Sequence, residues 1–139
     1  MSLLGVLPIA GSGMAAQAER LSAVASNLAN ANSAATSAGQ PYRARELVFQ
    51  AVAPGTGDAA PPDLGVAGVR VAAVVESSAP LRKVFDPGNA AADSAGYVQM
   101  PNVDPVEEMV NMISAQRDYQ ANLEAFNVAK TLALRTLSI

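Results

Sequence analysis

The sequence predicts an α+β chain: long N- and C-terminal α-helices forming an antiparallel coiled-coil-like pair, with a small β-rich central insert. Three observations predict it. A seven-residue apolar repeat runs near the N-terminus, a capped stretch without internal Gly or Pro fills the C-terminus, and turn-separated runs of β-branched residues lie between them. The expected division is an N-terminal helix over 1–34, an insert over 35–101 with a mobile loop near 54–65, and a C-terminal helix over 102–139. The two helices together would form an inner helical domain.

Half of the 139 residues are hydrophobic, yet only 4% are aromatic. Ala and Val bury little area each, so the large anchors Tyr42, Phe49, Phe85, Tyr97, Tyr119 and Phe126 serve a thin core. One small domain with extensions is expected. The absence of Cys removes disulfides and thiolate chemistry, and the absence of His removes the commonest general base and metal ligand. Net charge is −3, and no segment carries a basic stripe, so nucleic acid is not an expected partner. The apolar start MSLLGVLPIAGSG has no positively charged n-region and is interrupted by Gly5 and Pro8. Neither a signal peptide nor a membrane span is expected there.

In the first helix Leu7, Met14, Leu21 and Leu28 recur every seven residues, with Ala10, Gln17, Val24 and Ala31 three further on. A sustained heptad implies a partner helix, and the C-terminal helix is the nearest candidate. Ala-rich flanks permit close approach from several sides. The helix is expected to fail near Asn32, where Asn, Ser and Thr side chains compete for the backbone. Asn27 and Asn30 share a face beside the seam. They are either fraying C-terminal residues or amide donors to a neighbouring helix.

The insert begins with PYRARELVFQAVA, read as a strand, although RARELVFQA also fits a short helix. PGTGDAAPPDLG is a turn-rich loop. Val69, Val71 and Ala73 then alternate with Arg70 and Ala72 as a half-buried strand, and LRKVF forms another before the DPGN turn. Asp86 and Asp93 lie near that turn without the alternating oxygen ligands of a Ca²⁺ loop, and are read as turn residues.

The C-terminal helix starts where Asp104 can cap the first turn, with Pro105 in the first helical position and Glu107 completing a capping box. Met109, Met112, Gln116, Tyr119, Leu123, Phe126, Lys130, Ala133 and Leu137 recur in steps of three and four. Gln116 and Lys130 interrupt that seam. Val110, Ile113, Val128, Leu132 and Leu134 widen the apolar surface, so the helix needs more than one neighbour. Arg117 belongs either to an exposed polar face or to an inter-subunit contact.

No catalytic constellation emerges. Lys83 and Lys130 lie outside any Ser-x-x-Lys motif, and the adjacent Glu107 and Glu108 cannot face one another as an acid–base pair. No enzyme, cofactor, metal or small-molecule substrate is expected.

Three stretches carry a resemblance: ASNLANANS closing the first helix, GQPYRAR leading into a strand, and DPGN followed by GYVQMPNVDPVEEMVNMISAQRDYQAN. Together they span nearly the whole chain. It resembles the axial proteins of the bacterial flagellum, and within them the proximal rod proteins of the FlgC family. SAATSAGQPY in place of a Thr-x-Gly-Tyr turn favours that branch.

The resemblance implies a structural subunit of the rod that carries torque from the membrane ring to the distal rod and hook. It implies export through the flagellar type III apparatus without a cleaved signal, and residence in the basal body within the periplasmic space. It also implies terminal helices in an inner tubular layer with the insert further out. The implied partners are copies of itself, other proximal rod proteins, the membrane ring or its adaptor, the distal rod protein and the export apparatus. The expected assembly interface comprises Leu7, Met14, Leu21, Asn27, Leu28, Asn30, Met109, Met112, Ile113, Gln116, Arg117, Tyr119, Asn122, Leu123, Phe126 and Leu137. The competing reading is a soluble coiled-coil adaptor or export-chaperone-like module.

Overall fold

The computed structural model describes residues 3–34, 39–52 and 68–137. The loop expected near 54–65 lies outside them. The element order is α1 (Leu3–Asn30), β1 (Arg45–Val52), β2 (Gly68–Glu76), β3 (Arg82–Phe85), β4 (Tyr97–Met100) and α2 (Pro105–Leu137). The α+β class holds: two helices, and two two-stranded sheets pairing β1 with β2 and β3 with β4.

Helix α2 starts where its cap predicts. Asp104 Oδ1 accepts from the Val106 N–H at 2.8 Å, and the first helical bond runs from Glu108 N–H to Asp104 O. Helix α1 closes at Asn30, whose Nδ2 donates back to Ser26 O at 2.8 Å, while the Ala31 and Ser33 N–H groups satisfy the terminal carbonyls of Leu28 and Asn30. Pro8 lies inside α1, in its second turn, where it removes one helical N–H donor.

The segment after the DPGN turn forms β4. It pairs antiparallel with β3 in the register Arg82↔Met100, Lys83↔Gln99, Val84↔Val98 and Phe85↔Tyr97. Alternation along β4 buries Val98 and exposes Tyr97 and Gln99. In β2, Val69 and Val71 are half-buried as expected, but Ala73 is exposed.

The chain divides into two compact units, one of Met1–Leu21, Leu47–Ala73 and Ile113–Ile139, the other of Ser22–Glu46 and Val74–Met112. In the first unit the buried side chains are small: Ala10, Ala16, Ala115 and Ala129. Gly13 shows why. A Cβ at that position would stand 2.9 Å from Asn122 Oδ1, so α1 and α2 approach so closely there that any larger residue must push the Asn122 side chain aside. One helical run further, Arg20 lies 3.8 Å from Asp118. The partner number falls from 122 to 118 as α1 advances from 13 to 20.

The second unit centres on Ala31, Ala44 and Val103, with the Tyr42 ring packed against them. Its hairpin turns tightly at Gly96, which adopts φ +81° and would place a Cβ 3.0 Å from the Phe85 ring. Both the backbone sign and the space select Gly there.

Candidate assembly interface

Among the described residues no three His, Cys, Asp or Glu side chains cluster to hold a metal ion. Asp86 accepts from Asn89 Nδ2, and Asp93 Oδ1 accepts from the Ala95 and Tyr97 N–H groups. Both acids thus shape their own turns.

What the structure does build is a buried amide hub. Asn27 is 1% exposed. Its Nδ2 donates to Arg45 O at 3.0 Å and to Glu108 Oε2 at 3.2 Å. Its Oδ1 accepts from the Tyr42 hydroxyl at 2.9 Å and from the Arg45 N–H at 2.8 Å. Both donors and both lone pairs are used, so one side chain ties α1 to α2 and to the start of β1. The two readings of the Asn pair therefore separate: Asn27 bonds to the other helix, and Asn30 bonds back to its own.

A second hub was missed by sequence reasoning. Asn102 Oδ1 accepts from Ala44 N–H at 2.8 Å, while its Nδ2 donates to the carbonyls of Ser77 and Ala79. Arg43 donates to the same two carbonyls. The available signal was position, an Asn two residues before the helix cap in PNVDP.

In the first unit Ser12 Oγ donates to Ile9 O and accepts from the Val69 N–H, linking helix to strand. Beside it Ile9, Gln17, Phe49, Val69 and Asn122 line a pocket of about 360 Å³. Gln17 Oε1 is buried there and has no hydrogen-bond partner among the described residues.

The residues expected at an assembly interface divide by exposure. Leu7, Met14, Leu21 and Leu28 on α1 are half-buried, as are Asn30, Met112, Tyr119, Asn122 and Phe126. Met109, Ile113, Gln116, Arg117 and Leu123 are exposed. Leu137 closes α2, and its side chain lies outside the described residues. The covered stripe of α2 is thus shifted by one residue in alternate turns: Glu108, Ala115, Asn122 and Ala129 turn inward, and Met109, Gln116, Leu123 and Lys130 outward. The inward set is small or polar because close helix approach excludes bulk. The interruptions at Gln116 and Lys130 vanish, since neither faces the chain's own interior. Val106, Met109, Val110, Ile113, Val128, Leu132 and Leu134 are left exposed on one helix, more than scattered surface apolars require.

The sequence is similar to known proteins over its whole length. Residues 7–34 match the family described as flagella basal body rod protein, and residues 94–139 match the C-terminal region described for flagellar basal body rod FlgEFG proteins. Over its whole length the chain is 53% identical to the flagellar basal-body rod protein FlgC of Salmonella typhimurium, covering 98% of that protein. It is 52% identical to the FlgC of Yersinia enterocolitica and 36% identical to that of Borreliella burgdorferi, again covering the whole chain and 98% of each relative.

Proposed function

Because the chain belongs to the FlgC family of flagellar basal-body rod proteins, a structural family and not an enzymatic one, we propose that its terminal helices form an inner wall of the rod. The helices pack against those of neighbouring subunits in coiled-coil fashion, and the insert over 35–101 lies further out. The observation that carries this reading is the exposed apolar surface of α2, which the chain's own fold leaves uncovered.

The mechanism follows from the packing. A shaft that transmits torque needs close lateral contact among many helices, and the Ala- and Gly-lined approach of α1 to α2 gives a slim, stiff pair. The apolar residues turned outward, Met109, Ile113 and Leu123 among them, then meet other chains, with Gln116 and Arg117 as polar contacts between them. Neighbours are copies of this chain, other proximal rod proteins, the distal rod protein and the membrane ring or its adaptor. Delivery is through the flagellar type III export apparatus to the periplasmic space.

The test is to express the tagged chain in cells lacking their own copy. Restored swimming and recovery of the chain in detergent-extracted basal bodies are expected. Accumulation only as a discrete cytoplasmic oligomer overturns the reading in favour of a soluble adaptor.

A further inference from the structure

We propose that successive copies of this chain meet head to tail, the aromatic face of the β3–β4 hairpin of one copy seating on the first two turns of α2 of the next. This rests on the reading that the chain assembles with copies of itself.

The hairpin face is a built surface. The register places Lys83 opposite Gln99 and Phe85 opposite Tyr97, so these four side chains share one face, while Val98 is buried on the other. Phe85 is 63% exposed and meets Tyr97 edge to face at 5.3 Å. The pair is held rigidly: Asp93 Oδ1 accepts two backbone N–H groups, one of them from Tyr97, and Asp86 N–H donates to Gly96 O. A pre-ordered aromatic pair loses little entropy on docking.

The receiving surface has matching character. Val106 is 69% exposed, Val110 62%, and Met109 lies between them on the same stripe of α2. Glu107 is exposed one turn before Val110 and borders that stripe.

Charge selects the pairing. The hairpin face carries Lys83 two residues from Phe85, and the helix face carries Glu107 beside Val110. A hairpin-to-hairpin contact brings lysines together, and a helix-to-helix contact at this stripe brings glutamates together. Only the mixed contact covers apolar surface and pairs opposite charges. Such a contact is heterologous, so it does not close a dimer and extends from chain to chain.

The native chain contains no Cys, which makes the test clean. Cells would carry full-length Phe85→Cys, Met109→Cys, both in one chain, or the two single variants together. A short thiol-specific crosslinker would then be applied to extracted basal bodies. Neither single variant alone should crosslink to itself, the mixed cells should give a dimer, and the double variant a longer ladder. Lys83→Glu should lower basal-body recovery by about tenfold, and adding Glu107→Lys should restore it.

Circular dichroism of each purified variant checks that it folds. Normal recovery of Lys83→Glu overturns the contact, as does a dimer from Phe85→Cys alone or failure of Glu107→Lys to rescue. Absence of the unmodified chain from basal bodies would instead overturn the rod reading itself.

Discussion

Asn27 Nδ2 lies 3.2 Å from Glu108 Oε2, joining residues 81 positions apart in the sequence through a side chain that is otherwise fully engaged with Tyr42 and Arg45. The amide itself is 1% exposed, so its four polar contacts are made away from water. Asn27→Ala removes the acceptor of the Arg45 N–H and one of two partners of the Tyr42 hydroxyl, which keeps Ser26 Oγ at 3.2 Å, and should cost about 1–3 kcal/mol of folding stability. Asn27→Asp should be at least as harmful, since it replaces two donors with a charge facing Glu108. Urea denaturation of the purified chain measures both. A loss below about 0.5 kcal/mol for either would show that the hub is not structural.

The contact between Gly13 and Asn122 sets two effects against each other. Gly13→Ala gains about 1 kcal/mol of helix propensity, but its Cβ meets the Asn122 side chain and displaces it from its bond to Asp118 O. The single substitution should therefore be close to neutral. In an Asn122→Ala background the same change should stabilise by nearly the full propensity gain, about 1 kcal/mol. A double-mutant cycle read by thermal melting checks this coupling, and strict additivity would contradict the contact.

Gln17 offers a change in the stabilising direction. Its Oε1 is buried without a partner beside Ile9, Phe49 and Val69. Gln17→Leu removes that acceptor and adds apolar contact, and should raise the stability of the isolated chain by about 1 kcal/mol. The midpoint of urea unfolding should rise with an unchanged slope. A fall in the midpoint would mean that the amide is satisfied in solution.

The parts of this architecture legible in the sequence were those written in local pattern. The heptad of α1, the Asp104–Pro105 start of α2 and the β-branched alternation of β2 each act over a few residues, and each appears where it was expected. Strand β4 escaped notice because four residues between Gly96 and Pro101 are too short for periodicity to register. The inward stripe of α2 was displaced by one residue for a different reason. A hydrophobic pattern gives most weight to Met109 and Leu123, whereas close helix contact selects Ala115 and Ala129. The partners of Asn27 and Asn102 depend on long-range pairing, which no spacing encodes.

That displacement leads to the sharpest separation between folding and assembly. Leu123 is 40% exposed on the outward side of α2, while Ala129 is buried on its inward side. Leu123→Asp should change the stability of the isolated chain by no more than about 1 kcal/mol, because the carboxylate reaches water. It should nevertheless abolish incorporation into basal bodies, since burying an unpaired charge against a neighbour costs several kcal/mol. Ala129→Asp forces the same charge into the chain's own helix contact, so it should unfold the chain before assembly is reached. Measuring both variants by circular dichroism and by basal-body recovery distinguishes the two surfaces. If Leu123→Asp unfolds the monomer, that side of α2 belongs to the core of the chain. If it is recovered normally in basal bodies, position 123 faces solvent in the rod as well.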